Sequence, residues 1–413
     1  MTVLEDLVRD EWGRLLALLV ARFRRLDLAE DGLADAFEAA ARTWPREGVP
    51  ANGPAWLLTA ARRRVLDRLR SEQVLARSMP LLEVEADLAA RAQRVMADVG
   101  EPLTDERLRL VLLCAHPRLS REAAAALSLR LVLGVPTADV ARLFLQSTPT
   151  MAARLTRARK KLAGERFALP PADEVADRLG VAADVAYLAF TAGYAPASGD
   201  DVVRAELAGE AVRLVRVLRD VRPTLGAGGE AGGGVAARDL DALLALVLLQ
   251  HSRRDARVDD GALVLLPDQD RSRWHQHEIA EALELLTPLA TAAPTPYLLQ
   301  ALVAAEHAIA RTPDATAWDR ILARYDELLT LADTPVVRLN RAVAVAEVSG
   351  PRAGLDALAE VALPGHRLPA LRAELLRRAG DPDGALRAYD AALALCGPGA
   401  EHDHLRRRRA ELA

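Results

Sequence analysis

The chain has 413 residues, too many for one compact domain, and the length predicts two to four domains with separate cores. Hydrophobic residues make up 51% of the chain and aromatic residues only 4%, without Val/Ile/Thr-rich alternating segments. This composition predicts an all-α protein and excludes sandwiches, barrels and parallel-sheet enzymes. The net charge of -4 does not by itself indicate a nucleic-acid partner.

The sequence also predicts where the protein works. Apolar runs such as 15–20 and 243–249 are much shorter than the roughly 20 residues that span a bilayer. The N-terminus, MTVLEDLVRDEW, lacks the basic start and small-residue cleavage site of an export signal. We therefore expect a cytoplasmic protein without a membrane partner. Cys114 and Cys396 lie in apolar surroundings far apart in sequence, which indicates buried thiols and no metal or cofactor.

Positive charge is concentrated in two segments. Residues 55–78 contain six arginines against Asp67 and Glu72, and residues 148–166 contain six basic residues against Glu165. A single basic segment is usually a solvated helix face. Two such segments, each within a helical unit, favour a nucleic-acid interface.

The first 72 residues predict three or four helices: an amphipathic first helix, an acidic helix from Ala29 to Thr43 and a basic helix from Pro54 to Arg70. Between the last two, the segment WPREGVPANGP is rich in proline and glycine and predicts a loop. Residues 73–104 carry mixed charge without a sustained apolar stripe, and we interpret them as a linker.

A second helical unit is predicted for residues 105–166, with a turn at 134–136 and an N-cap at Thr137. The layout of a helix-turn-helix then follows: a first helix (TADVARLF), a turn (LQST) and a second helix (TPTMAARLTRARKKL). In such a motif the second helix enters the major groove. An ordinary pair of antiparallel helices with a polar face fits the same spacing. At the start of the second helix, Thr148 and Thr150 are expected to approach base edges or phosphates. Basic side chains recur at i, i+3 and i+6 along one side, namely Arg154, Arg157 and Lys160.

The chain is predicted to be helical again from Asp173 onward. The glycine-rich segment 226–234 has neither a preceding strand nor a Lys-Ser/Thr pair, so it predicts a flexible loop and not a phosphate site. In the last third, residues 325–331 are echoed 64 residues later by 389–395, which predicts tetratricopeptide-like helix pairs. In the second copy Gly380 and Asp381 are expected to form the turn. Ala385 and Ala392 are expected to allow close packing of the helices, and Tyr389 is expected to fill the groove between them.

Catalytic motifs are weak. The segment DQDRSRWHQHE contains a close histidine pair, but its spacing does not place two metal ligands on one helical face. We interpret this segment as a structural junction in which Asp270, Arg271 and Arg273 pair internally or with a neighbouring repeat. No nucleophile has a recognisable base, so an enzyme is the least favoured class.

Three motifs carry a family resemblance: LAEDGLADAFEAAARTW, AWLLTAARRRVLDRLR and QSTPTMAARLTRARKKL. They resemble, in this order, the core-binding helix, the -10 helix and the -35 recognition helix of bacterial RNA polymerase sigma factors of the extracytoplasmic-function group, within the sigma-70 family. The resemblance implies that core polymerase is bound by Asp31, Asp35, Phe37 and Glu38. It implies that the -10 element is bound by Arg46, Asn52, Gly53, Trp56, Arg62, Arg63 and Arg64. With the spacing argument above, it assigns the -35 element to Ser147, Thr148, Thr150, Arg154, Arg157 and Lys160.

Several of these residues also have an ordinary structural explanation. Phe37 and Trp56 are more readily explained as aromatic residues of the core than as direct contacts to polymerase or DNA. Arg68 and Arg70 fit surface pairs with Asp67 or Glu72. Asp31 and Glu38 fit ordinary surface acids. The functional hypothesis therefore rests on the joint arrangement.

The segments PPADEVADRL, AFTAGY, DQDRSRW and LNRAVAVAEV resemble the long C-terminal extension of one subgroup of these sigma factors, so the resemblance covers nearly the whole chain. It implies a region 2-like domain (1–72), a linker (73–104), a region 4-like helix-turn-helix domain (105–166), a helical extension (167–290) and tetratricopeptide-like repeats (291–413). The implied partners are core RNA polymerase and promoter DNA, and the extension is expected to regulate activity. A small YCII-related protein is implied as a further partner, with no metal and no cofactor.

Two other functions remain open from the sequence. A stand-alone helix-turn-helix regulator with a tetratricopeptide-like sensor domain binds duplex DNA without polymerase, and it does not need the N-terminal helical unit. A protein-interaction scaffold needs neither basic segment.

Overall fold

The fold is given by a computed structural model. It describes residues 3–71, 101–144, 146–162, 165, 167–170, 172–194, 205–220, 232–259, 262–397 and 399–412. Within these ranges the protein is all-α, as the composition predicted, apart from one two-stranded antiparallel ladder. Most of the predicted linker and of the glycine-rich segment 226–234 lies outside the described residues.

The secondary structure follows the chain as a succession of helices. The first part contains α1 (Val3–Phe23), α2 (Leu26–Glu47), α3 (Gly53–Ser71), α4 (Glu101–Cys114), α5 (Arg121–Leu131), α6 (Thr137–Leu143), α7 (Thr148–Leu162), α8 (Ala172–Tyr194), α9 (Ala205–Asp220) and α10 (Gly232–His251). Next come strands β1 (Val258–Asp259) and β2 (Ala262–Leu263). The last part contains α11 (Gln276–Leu286), α12 (Pro296–Ile309), α13 (Trp318–Leu331), α14 (Pro335–Ser349), α15 (Pro351–Ala357), α16 (Arg367–Arg378), α17 (Pro382–Leu395) and α18 (Ala400–Ala410). Searched over the described residues, none of these helices combines the length and the apolar character that a bilayer crossing requires.

Contacts divide the chain into two compact units. The N-terminal unit comprises Met1–Leu188 and Arg213–Ala237, and the C-terminal unit comprises Ala189–Val212 and Arg238–Ala413. Each unit has its own buried apolar residues, in line with the prediction that the chain is too long for a single core.

In the N-terminal unit, α1 packs against α2, α3, α4 and α5. Two glycines permit this close approach. A Cβ added at Gly13 would lie 2.1 Å from the carbonyl oxygen of Val132, and one added at Gly134 would lie 2.6 Å from the Trp12 ring. The backbone of Gly134 also has φ +74°, a value that residues with a side chain rarely adopt. The segment around α5 is therefore fitted closely onto α1.

The loop predicted for residues 44–54 is shorter in the structure. Helix α2 continues through Pro45 to Glu47, although proline removes one backbone hydrogen bond from the last turn. Trp44 offsets this loss because it is buried and packs edge-on against Trp56, with ring centroids 5.5 Å apart. Gly48 ends the helix with φ +86° and donates its N–H to the carbonyl of Trp44.

Three helix starts also correct the sequence prediction. Helix α4 begins at Glu101, inside the segment interpreted as a linker, because Pro102 is tolerated in a first turn whose N–H groups have no helical partner. Pro136 is the N-cap of α6 and Thr137 is its first helical residue, without a side-chain cap. Helix α10 begins at Gly232, within the predicted glycine loop.

The last part of the C-terminal unit consists of packed helix pairs. Helices α16 and α17 are joined at Gly380, which has φ +81°, and Asp381 caps α17 by accepting the N–H of Gly384 at 2.8 Å. Ala385 and Ala392 are fully buried, and Tyr389 is 2% exposed, as close packing requires. This arrangement is compatible with tetratricopeptide-like repeats.

The segment interpreted as a structural junction makes contacts within itself and with the end of α12. Arg271 donates to the carbonyls of His307 and Ala310, both at 2.7 Å. Asp270 accepts hydrogen bonds from Ser272. The junction thereby fixes the end of α12 to the segment before α11.

Candidate nucleic-acid and polymerase interface

Helix α7 has one buried face and one exposed face. Its start is fixed because the hydroxyl of Ser147 accepts the N–H of Thr150 at 3.3 Å. Met151, Leu155 and Ala158 lie three or four residues apart and pack inside the N-terminal unit together with Leu162. Polar residues outside this buried stripe are exposed. They include the predicted -35 residues Ser147, just before the helix, and Thr148, Thr150, Arg157 and Lys160.

Arg154, the remaining predicted -35 residue, is held differently. Its side chain is 22% exposed, and its Nη1 lies 3.2 Å from Glu122 of α5. The α7 face that is open to DNA therefore depends on hydroxyls and on Arg157 and Lys160, while Arg154 connects α7 to α5.

Helix α3 has the same division into two faces. Leu57, Ala61 and Val65 are fully buried, whereas Arg63 and Arg64 are exposed. Arg62 is half-buried and lies between the two faces. A pair of exposed guanidinium groups on one helix suits contact with a phosphate backbone.

Of the other predicted -10 residues, three cap or pack within the fold and one is exposed. Asn52 accepts the N–H of Ala55 at 2.9 Å and so caps α3. Gly53 is buried, and a Cβ added there would lie 3.0 Å from the Leu7 side chain. Trp56 is half-buried against Trp44. Of this group, Arg46 is exposed at the end of α2.

Acidic side chains on α2 meet a basic side chain of α3. Arg68 lies 2.8 Å from Asp31 and 3.0 Å from Asp35. Arg70 pairs with Asp67 at 3.3 Å, as its ordinary structural explanation proposed, and Glu72, the other partner considered, lies outside the described residues. The predicted polymerase-binding acids are thus ordered by a neighbouring charge.

The remaining two predicted polymerase-binding residues have different surroundings. Glu38 is exposed and lies 3.4 Å from Arg42. Phe37 is 7% exposed and packs on Trp12, with ring centroids 5.6 Å apart. The structure therefore places Phe37 in the core, in line with its ordinary structural explanation.

One buried carboxylate was not foreseen from the sequence. The side chain of Glu30 on α2 is 6% exposed and accepts hydrogen bonds from Arg130 of α5 at 2.7 Å and Arg159 of α7 at 2.5 Å. Arg130 also lies over the Trp12 ring, 5.0 Å from its centroid. These residues are 100 and 129 positions from Glu30, so no local spacing indicated them.

The two cysteines have different surroundings. Cys114 is fully buried, and burial raises the pKa of its thiol to about 12. Cys396 is half-buried at the end of α17. Cys114 agrees with the predicted buried thiol, and Cys396 is only partly shielded.

The C-terminal unit contains a cavity of about 270 Å³. Half of its lining comes from α13 and α14, with Trp318, Ile321 and Tyr325 on the first and Asn340 and Val343 on the second. The rest comes from the segments before α11 and α13 and from the end of α12. Aromatic and aliphatic walls with a few polar groups are typical of ligand pockets.

Comparisons with known proteins bear on both units. Residues 109–162, which end with α7, match the family Sigma-70, region 4. Residues 178–290 match a family of unknown function, DUF6596. An uncharacterized protein of Rhizobium meliloti (strain 1021) is 38% identical over 409 residues, which cover 96% of this chain and 93% of the relative.

No solved structure matches the chain. The region 4 match supports membership of the sigma-70 family and implies RNA polymerase and promoter DNA as partners.

Proposed function

The chain belongs to the same family as the Rhizobium meliloti protein and carries a sigma-70 region 4, and from this premise we propose that it is an RNA polymerase sigma factor of the extracytoplasmic-function group. In this proposal it binds core polymerase, recognises the -35 and -10 promoter elements and assists promoter opening. Its C-terminal extension regulates this activity.

The observation that carries the proposal is the two-faced helix α7 within the matched region. Met151 and Leu155 anchor α7 in the N-terminal unit, and the face bearing Thr150, Arg157 and Lys160 is exposed. A helix held in this way can enter the major groove, where hydroxyls and basic side chains contact base edges and phosphates. We assign this face to the -35 element.

Helices α2 and α3 are assigned to core polymerase and to the -10 element. Exposed Arg63 and Arg64 are suited to the displaced strand, because unstacked bases and their phosphates need new contacts that offset a few kcal/mol of unstacking. Asp31, Asp35 and Glu38 offer an acidic row to a basic partner surface. The resemblance of this segment to region 2 supports the assignment.

The C-terminal unit is assigned a regulatory role. Its packed helix pairs and the cavity lined in part by α13 and α14 supply surfaces that a sigma factor does not need for promoter contact. Neither the contacts nor the comparisons support a YCII-related partner in particular, so that partner is left out of the proposal.

Transcription with purified components tests the proposal. The full-length protein is combined with core polymerase on DNA from its own upstream region, and Arg157→Glu is compared with Arg387→Glu, which reverses an exposed arginine on α17. We expect promoter-specific transcripts from the wild type and the control, and at least about tenfold fewer from Arg157→Glu, because the reversal removes a phosphate contact and places a carboxylate against the DNA.

Two results would contradict the proposal. One is equal transcription by Arg157→Glu. The other is absence of transcripts while the protein alone shifts promoter duplex, which would favour a stand-alone helix-turn-helix regulator.

A further inference from the structure

Three side chains of different chemistry meet at one end of a helix pair in the C-terminal unit. His366 immediately precedes α16, Cys396 immediately follows α17, and Glu401 lies in the first turn of α18. Helices α16 and α17 pack against each other across a tight turn, so the start of the first lies beside the end of the second. The topology therefore gathers residues from three helix ends.

The ligand atoms of this cluster are close together. Nε2 of His366 lies 2.8 Å from a carboxylate oxygen of Glu401. One ring nitrogen of His366, one carboxylate oxygen of Glu401 and the Cys396 sulfur lie within 4.8 Å of one another. All three residues are half-buried, and the His366 side chain is 19% exposed. The cluster is shielded by protein but open to solvent.

The donor set suits a divalent cation, because such an ion attracts both a thiolate and a carboxylate and displaces the thiol proton.

Helix α18 has little apolar contact to hold it in place. Within this fully described helix, Leu405 is the buried residue, and it joins the apolar cluster around Tyr389. Ion pairs also join it to the preceding helices, from Arg408 to Glu374 and from Arg409 to Asp390. A metal ion shared by the ends of α16, α17 and α18 would fix the first turn of this helix.

We propose that His366, Cys396 and Glu401 bind one Zn²⁺ ion, with water as the fourth ligand. Zinc accepts nitrogen, sulfur and oxygen ligands in a tetrahedral arrangement, at about 2.0–2.3 Å. Ligand atoms around such an ion are about 3.3–3.8 Å apart, so small side-chain rotations convert the observed cluster into the site. No local spacing indicates this site, since His366 is 30 residues before Cys396.

Metal content and cobalt spectroscopy test this proposal. Full-length protein, purified without a histidine tag, is loaded with Zn²⁺, dialysed and measured for bound zinc, and Co²⁺ is used as a spectroscopic substitute. We expect one zinc per chain, visible bands of tetrahedral Co²⁺ and a sulfur-to-cobalt charge-transfer band. Cys396→Ser is expected to remove the charge-transfer band and weaken zinc binding at least tenfold.

Two further variants make the test decisive. Glu401→Gln keeps the size and a polar contact to His366, and is expected to weaken zinc binding at least tenfold while circular dichroism stays unchanged. His277→Ala removes an exposed histidine from α11 and is expected to bind zinc like the wild type. Equal zinc retention in wild type and Cys396→Ser, or a cobalt spectrum without a sulfur band, would overturn the proposal. Transcription is not a readout, so the result is independent of the proposed function.

Discussion

Glu30 and Asp31 are neighbours on α2, yet the fold uses them in opposite ways. The side chain of Glu30 is 6% exposed and bonded to two arginines, whereas that of Asp31 is 64% exposed and shares Arg68 with Asp35. Burial separates a structural carboxylate from acids that are available to a partner.

Asp35→Arg is expected to weaken core polymerase binding at least about tenfold, because it reverses a charge in the acidic row and repels Arg68. Binding is measured by titration of labelled protein with core polymerase. The control is Asp333→Arg, which breaks a comparable exposed pair with Arg338 in the C-terminal unit. Equal loss in both variants, or loss of folding in Asp35→Arg, would count against the assigned role.

Glu30→Gln is expected to destabilise the N-terminal unit by about 2–3 kcal/mol, because Arg130 and Arg159 are left as partly buried charges without a carboxylate. Denaturant unfolding measures the change. Glu122→Gln removes a mostly exposed partner of Arg154 and is expected to cost no more than about 0.5 kcal/mol. A similar decrease in the free energy of unfolding in the two variants would show that the buried ion pairs of Glu30 contribute no more than the exposed pair of Glu122.

Helix α7 concentrates charge without acidic residues of its own. Arg159 is neutralised by Glu30 and Arg154 by Glu122, so Arg157, Lys160 and Lys161 provide its exposed charge. Affinity that depends on phosphate contacts falls with salt, because binding releases counterions. The charge of α7 therefore predicts that the affinity for DNA falls measurably as the salt concentration rises.

For the complex with core polymerase bound to promoter duplex, Arg157→Ala is expected to reduce the steepness of log affinity against log salt by about 0.9, since one phosphate contact is lost. Fluorescence anisotropy across a salt series measures the slope. Arg387→Ala, on α17, is expected to leave it unchanged. A slope that Arg157→Ala does not alter would remove this residue from the DNA interface.

In the C-terminal unit, Glu374 joins α16, α17 and α18. Burial raises the pKa of its carboxyl, but hydrogen bonds from Arg377 and Arg408 outweigh burial and hold the pKa below its usual value. The hydroxyl of Tyr389 also donates to this carboxylate at 3.1 Å. Because the folded pKa is lowered, the stabilisation is present above the unfolded value of about 4.3 and is lost as pH falls through the folded pKa.

Glu374→Gln is therefore expected to lower the unfolding midpoint of the C-terminal unit at pH 7 and to make it less sensitive to pH below about 4.3. Thermal unfolding measured between neutral and acidic pH gives both quantities. A variant whose acid sensitivity matches the wild type would show that another carboxylate controls acid unfolding.

For the whole molecule, local patterns predicted the helices well and the contacts between them poorly. Apolar spacing and the motif resemblance placed α3 and α7 within a few residues, because amphipathic periodicity is a local property. The continuation of α2 past Pro45 depends on Trp44 packing against Trp56. The pairing of Glu30 with Arg159 and the meeting of His366 with Glu401 join residues distant in sequence, and no periodicity encodes such contacts.

In the proposed function the chain works as a subunit of RNA polymerase. Size-exclusion chromatography with light scattering gives the mass of the complex formed when full-length protein is mixed with core polymerase. We expect a stable complex of one chain per core enzyme that binds the -10 and -35 elements of one promoter. Failure to bind core polymerase, with unaided binding of the protein to promoter duplex, would contradict it.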